Sequence, residues 1–256
     1  MRIIAIFNQK GGVGKTATVV NLAAALGERR RRVLVIDLDD QANASLSLGI
    51  RERGGSVNLF LDPKTKLLNL VKPTGAAGVE IIPASGDLIT VERRLSGKKG
   101  AEFALKGKIA GPWDYILMDC PSELGLITLN ALTAAQGVII PMEPHMLSLQ
   151  GLAQLLKNIE TIRARLNPDL KITGILVCRV RKQTRLAQEV IAELRARFVG
   201  QVFKTVIREN IRVAEAPSYG QPITVYDTRS AGAADYRALA REIIKQEVSY
   251  GKKTGC

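Results

Sequence analysis

Gln9-Lys10-Gly11-Gly12-Val13-Gly14-Lys15-Thr16 follows the apolar run Ile3-Ile4-Ala5-Ile6-Phe7 and precedes the aliphatic stretch 19–26. The β-branched run predicts a buried strand, and the stretch after the loop predicts a helix packed on a sheet. A glycine-rich turn between strand and helix that ends in Gly-Lys-Thr is the context of a phosphate-binding loop. Gly11, Gly12 and Gly14 let successive backbone N–H groups converge on an anion, and the new helix adds its positive N-terminal end. On this reading Lys15 sits on the β- and γ-phosphates of a nucleotide and the Thr16 hydroxyl on Mg²⁺. ATP and Mg²⁺ are therefore the expected cofactors.

The loop departs from the general pattern at its start. Gln9 stands where a glycine is usual, and a second lysine, Lys10, follows it. Lys10-Gly11-Gly12-Val13-Gly14-Lys15-Thr16 resembles the deviant Walker A loop of the ParA/MinD ATPases. The resemblance implies that Lys10 crosses a nucleotide-sandwich dimer to the partner's phosphates and shares the catalytic work with Lys15. It implies nucleotide contacts along Lys10, Gly11, Gly12, Val13, Gly14, Lys15, Thr16 and Ala17.

Two further strands are expected to deliver carboxylates to the same place. Residues 33–39 read as a buried strand carrying Asp37 and Asp39 at its end, and in open α/β sheets ligands bind at those strand ends. Asp37-Leu38-Asp39-Asp40-Gln41-Ala42-Asn43 resembles the family's switch, usually Asp-x-Asp-Pro-Gln-x-Asn, with Asp40 in place of the proline. The resemblance makes Asp39 the residue that orients the attacking water; the alternative is an Asp39 that caps the next helix. The run from Trp113 to Asp119 reads as an apolar strand ending in a carboxylate that reaches the Mg²⁺ shell, the Walker B element. Cys120, just beyond, is expected to fill space in the core.

The rest of the chain alternates strand and helix patterns. The four arginines 29–32 are expected to end the first helix, favourably for its dipole. Residues 58–61 suggest a short helix, 79–83 a strand, 88–106 a helix with a basic break at Lys98-Lys99, 124–135 a helix and 137–141 a strand. His145, the sole histidine, reads as a loop residue. In the helix 147–166, Leu149, Leu152, Leu155 and Leu156 share a face suited to core or dimer packing. A strand over 171–178 runs into Arg179, Arg181, Lys182 and Arg185, and another strand is expected over 202–207. Residues 213–220, Val-Ala-Glu-Ala-Pro-Ser-Tyr-Gly, resemble the segment after the last strand of ParA-type ATPases. That likeness carries an adenine contact to Asn210 and places Arg212 on a DNA-facing surface. Arg208-Glu209 stand where the family has Pro-Arg.

Composition sets the class. A 256-residue chain that is 46% hydrophobic but 4% aromatic has an aliphatic core, suited to a parallel sheet covered by helices. Its net charge of +13 favours a polyanionic partner, nucleic acid or an anionic membrane. Cys120, Cys178 and Cys256 show neither metal-ligand spacing nor a disulfide framework, which suits the cytoplasm and disfavours an electron-donating or metal-inserting relative. The expected fold is α/β, a doubly wound, mostly parallel sheet with helices on both faces, one P-loop ATPase domain over 1–256 with a loose tail at 251–256.

The resemblance implies an ATPase that forms a homodimer on ATP, binds DNA non-specifically at a surface including Arg212, and is stimulated by a ParB-like or other cargo adaptor at the nucleoid. The basic strand-exit loop adds Arg181, Lys182 and Arg185 as expected phosphate contacts. The alternative is a MinD-like membrane-surface ATPase regulating division-site placement. A final helix over 232–250 offers Leu239, Ile243, Ile244 and Val248 but no Trp or Phe, so core packing is expected in place of a membrane contact.

Overall fold

The computed structural model describes residues 1–52, 54–181 and 184–251, the last four by backbone alone. The strands are β1 (Arg2–Ile6), β2 (Val33–Asp37), β3 (Lys72–Pro73), β4 (Val79–Ile82), β5 (Tyr115–Asp119), β6 (Gly137–Met142) and β7 (Lys171–Val177). They form one sheet in the order β3-β4-β2-β5-β1-β6-β7. Every pair is parallel except the two-residue edge pairing of β3 with β4. The helices are α1 (Lys15–Gly27), α2 (Asn43–Ser47), α3 (Ser56–Leu61), α4 (Leu88–Leu95), α5 (Leu126–Ala134), α6 (Met146–Arg165), α7 (Arg185–Arg197), α8 (Ile211–Glu215), α9 (Ile223–Tyr226) and α10 (Ala231–Gly251). This is the doubly wound α/β architecture expected from the alternating patterns.

Near-continuous aliphatic strands follow from burial on both faces. Ile3, Ala5, Leu34, Ile36, Ile116 and Met118 point to one side, where α4, α5, α6 and α7 contribute Val91, Leu132, Leu152 and Val190. Ile4, Ile6, Val33, Val35 and Leu117 point to the other, against Val19, Leu22 and Leu26 of α1 and Leu239 and Ile243 of α10. Leu149, Leu152 and Leu155 of α6 are core residues, with Leu156 packed beside them. The apolar face of α10 is likewise used inside the molecule, as its lack of aromatic anchors suggested; Val248 and the tail from 252 lie outside the described side chains. Among the described residues no helix is long and apolar enough to cross a membrane.

Register places the site. Asp119 ends β5 opposite Ile6 of β1 on one side and Asp37 of β2 on the other, so the phosphate loop leaves β1 beside the Asp119 carboxylate, with Asp37 one strand further out. The neighbouring β6, on β1's other side, ends beside the start of the loop.

Four expectations are corrected. Residues 202–207 do not form a strand: Val202 and Arg208 each make only an isolated bridge. Between them the Lys204 and Thr205 amides donate to the Glu242 carboxylate of α10, at 2.7 and 2.9 Å, which diverts the segment from the sheet edge. The helix expected to reach 106 stops at Leu95, and after Gly97 and Gly100, both with positive φ, only a 3₁₀ turn over Ala101–Phe103 follows. The arginines lie past the last turn of α1, which carries no basic residue, and close the helix by backbone instead. With Arg30 at φ 60°, its amide donates to the Gly27 carbonyl at 2.9 Å and the Arg31 amide to the Leu26 carbonyl at 3.2 Å, while Glu28 pairs with Arg237 of α10 at 2.7 Å. Finally β2 ends at Asp37, leaving Asp39 in the loop beyond.

Candidate functional site

Gly12 (φ 76°) and Gly14 (φ 94°) adopt left-handed backbone that a side chain would strain, and this turns the chain from β1 into α1. A Cβ at Gly11 or Gly12 would meet nothing within 4 Å, so the cradle is open on the side where a phosphate would enter. Val13 is 1% exposed, its side chain in the core, so only its backbone can face a ligand. The loop's start is tied to the sheet: Asn8 Nδ2 donates to the Pro141 carbonyl of β6 at 2.7 Å, and the Lys10 amide donates to Asn8 Oδ1 at 3.0 Å. Lys15 is buried, and its ammonium donates to the Ser122 hydroxyl at 2.6 Å. Burial lowers its pKa, while the charges of Asp119 and Asp39 oppose that shift.

Three carboxylates with different roles lie at these strand ends, two of them, Asp119 and Asp39, within electrostatic reach of Lys15. Asp37 is fully buried and accepts from the Ser45 amide and hydroxyl, at 2.8 and 2.7 Å, which anchors α2 to the sheet. Its pKa is pushed up to about 6 by burial, against those hydrogen bonds. Asp39 accepts from the Gln41 amide at 3.0 Å, and the Ala42 amide donates to its carbonyl. That closes a tight turn leading into Ala42 at φ 53°. Burial raises the Asp39 pKa, opposed by the Gln41 hydrogen bond, with Asp40 reinforcing the rise. The Ser45 bonds that hold α2 fall to Asp37, so Asp39 is not the helix cap.

Asp119 is fully buried, and neither carboxylate oxygen has a hydrogen-bond partner among the described residues. Burial, with Asp37's charge added, holds its pKa well above the usual carboxylate range; the Thr16 hydroxyl, nearby but outside hydrogen-bond geometry, opposes the shift. An orphaned buried carboxylate beside a hydroxyl fits a hard cation that takes oxygen ligands. Among the described residues no group of three or more His, Cys, Asp or Glu forms a metal cage. Mg²⁺ needs none, since it is held by one or two carboxylates and completes its shell with phosphates and water. Asp119 and Thr16 fit that ion.

A cavity of about 830 Å³ runs from this cradle to the opposite loops, lined by Gly12, Gly14, Thr16 and Ala17 at one end and Asn210 and Ile211 at the other. It is large enough for a nucleotide. Asn210 reaches it, as expected, while its Oδ1 accepts from the Arg212 amide at 2.8 Å and caps α8. Arg208 also lines the cavity, but its guanidinium is held by Asp235 at 2.7 Å and the Ala231 carbonyl at 3.2 Å. The cationic residues proposed for DNA do not form one bare patch. Arg181 lines the cavity and is paired with Glu209. Arg212 is paired with Glu215 at 2.9 Å and faces Asp227 at 3.9 Å. Arg185 is exposed at the first turn of α7, and Lys182 lies outside the described residues.

Several residues escaped the sequence reading. Ser122 holds Lys15, and Glu143, one residue past β6, faces Lys10 at 3.6 Å and Arg179 at 2.8 Å. Nothing in the local pattern marks either; only the parallel register brings them to the loop. Cys120 is buried as expected, and Cys178, its thiol pushed up to about 12 by burial, packs behind Gly14. His145 is an exposed loop residue at 3.5 Å from Glu143.

Comparison with known proteins adds sequence and structural relatives. A family model described as "AAA domain" matches residues 1–172. The chain is 42% identical over 251 residues to "Chromosome partitioning protein ParA" of Myxococcus xanthus, covering 96% of this chain and 89% of that one. It is 44% identical over 245 residues to "Chromosome-partitioning ATPase Soj" of Thermus thermophilus, covering 95% and 96%. A solved structure described as cobyrinic acid a,c-diamide synthase from Mycobacterium smegmatis with bound ADP and magnesium superimposes with a TM-score of 0.84 at 32% identity, over 97% of this chain and 96% of that one.

Proposed function

Because the chain belongs to the ParA/Soj family of P-loop ATPases, and is thus an ATP hydrolase, we propose that it uses Mg²⁺-ATP to dimerise and to bind DNA without sequence preference. Hydrolysis, stimulated by a cargo adaptor, then releases the DNA. The observation that carries the nucleotide reading is the pairing of an open glycine cradle with the orphaned Asp119 carboxylate at the same strand ends.

In this reading the backbone N–H groups of residues 11–16 converge on the phosphates, and Lys15 exchanges the Ser122 hydroxyl for their oxygens. That exchange gains a charge-assisted contact for a partly desolvated ammonium. Thr16 and Asp119 hold Mg²⁺, which when bound neutralises charge building on the transferred phosphoryl group. Asp39 sits in a turn within electrostatic reach of Lys15, which supports its reading as the residue that orients water at the γ-phosphate. Asn210 takes the base end of the cavity. Lys10 reaches the partner's phosphates across the dimer.

DNA binding rests on family membership and on the net charge of +13. Arg181, Arg185 and Arg212, with Lys182, supply the proposed phosphate contacts, and Arg181 and Arg212 trade carboxylate partners for them. The test is co-sedimentation with DNA and with anionic liposomes, each with ATP and with ADP. The proposal expects ATP-dependent DNA pelleting that falls with salt. Equal pelleting with both nucleotides, or ATP-dependent pelleting with liposomes alone, would refute it.

A further inference from the structure

We propose that Glu143 is a positioning residue that holds Lys10 against its own subunit until a dimer forms, setting the threshold for ATP-dependent dimerisation. The inference rests on the reading that Lys10 acts across the dimer. Its basis is a cluster of two cations, Lys10 and Arg179, with the His145 ring about one carboxylate. Glu143 follows β6, whose end is stitched to the phosphate loop by the Asn8–Pro141 bond. Its side chain is 13% exposed. Oε1 accepts from Arg179 at 2.8 Å, while Oε2 faces Lys10 Nζ at 3.6 Å and His145 Nε2 at 3.5 Å. Glu143 lies outside the lining of the nucleotide cavity and inside a neighbouring cleft with Pro144, His145 and Leu186. The Lys10 ammonium is thus drawn to the β6 exit.

The arrangement suits a releasable hold. A mostly buried carboxylate needs a compensating partner, and Arg179 supplies a hydrogen bond that stays when Lys10 leaves. Release therefore leaves Oε1 hydrogen-bonded to Arg179 and Oε2 facing His145. Lys10 is half-exposed, so its attraction to Glu143 is that of a surface pair, weak enough for a partner's phosphates to outcompete. Each dimer must undo two such contacts. Arg179 also lines the nucleotide cavity and lowers the Glu209 pKa together with Arg181, so the cluster continues toward the base end of the site.

The experiment measures the dimer dissociation constant by sedimentation velocity with Mg²⁺ and a non-hydrolysable ATP analogue, for wild type, Glu143→Gln, Lys10→Ala and the double variant. Gln preserves the volume and an oxygen acceptor for Arg179 while removing the charge. Glu143→Gln is expected to tighten the dimer by about fivefold at low salt, with the gain shrinking as salt rises. In the Lys10→Ala background the same substitution is expected to have no effect, a dependence that a merely structural role for Glu143 would not produce. A Lys10→Ala protein that assembles and turns over poorly, beside a Glu143→Gln protein with unchanged or weakened dimerisation, overturns this inference alone. A Lys10→Ala protein that assembles and turns over like wild type overturns the underlying reading of Lys10 and this inference with it.

Discussion

Asp119→Asn separates what the site does for function from what it does to stability. In the nucleotide-free chain Asp119 is fully buried, with both oxygens lacking hydrogen-bond partners among the described residues and Asp37 across the strand pair. A buried, unsatisfied polar group costs about 1–3 kcal/mol, more when charged. Above the raised pKa of Asp119, where the carboxylate is ionised, Asn removes the charge at nearly constant volume, but it also removes an attraction felt by Lys15. The net gain is therefore placed at the low end, about 1 kcal/mol, which in a chain of this size raises the melting temperature by about 2–4 °C. The ligand-bound state moves the other way. Mg²⁺ and nucleotide at about a hundredfold excess over their dissociation constant stabilise wild type by about 2.7 kcal/mol, and the variant should lose nearly all of it. Scanning calorimetry with EDTA, and then with Mg²⁺ and ADP, reads both effects. An Asp119→Asn protein less stable than wild type in EDTA, or one that keeps the Mg²⁺-dependent rise, would refute the view of Asp119 as a carboxylate held ready for a cation.

Asp39→Ala should keep nucleotide binding and ATP-dependent dimerisation yet lose hydrolysis by about a hundredfold or more, the scale of one positioned catalytic group; a variant that stays monomeric with ATP in gel filtration would make Asp39 structural. Arg212→Ala should lower DNA affinity and reduce the slope of log affinity against log salt by about 0.9, with ATP affinity unchanged in titration; an unchanged slope removes Arg212 from the interface. The stability of the nucleotide-free protein should fall as pH rises from about 4 to 6 in thermal melts. Burial raises the folded-state pKa of Asp37 from an ordinary 3.8 to about 6, so the unfolded chain binds fewer protons across that window. A flat or rising profile there would contradict the buried carboxylate pair.

The phosphate loop, the two carboxylate strands and the sheet were legible because their signals are local. A β-branched run, fixed glycines and a following helix pattern are adjacent in the chain. The missing eighth strand was not legible. The 202–207 segment has strand composition, but Glu242, some 40 residues later on α10, takes its central amides. The early end of α4 was half visible in the basic break at 98–100, and the glycines there decided it. The ion pairs about Lys10 and Arg181 were invisible for a similar reason. The sequence shows an excess of positive charge, whereas Glu143 and Glu209 meet those cations only through the register of strand-exit loops. Arg212 and Glu215, three residues apart on α8, are a pair the sequence spacing allows.

Titration calorimetry of Mg²⁺-ATP into wild type and Lys15→Ala, repeated with EDTA in place of Mg²⁺, tests the central claim that the Gln9 to Thr16 loop is the phosphate site. The account predicts that wild type binds one nucleotide per chain with an affinity that falls when Mg²⁺ is withdrawn, and that Lys15→Ala, left with backbone donors alone, shows no measurable binding. Unchanged ATP affinity in Lys15→Ala would place the nucleotide elsewhere and contradict the account.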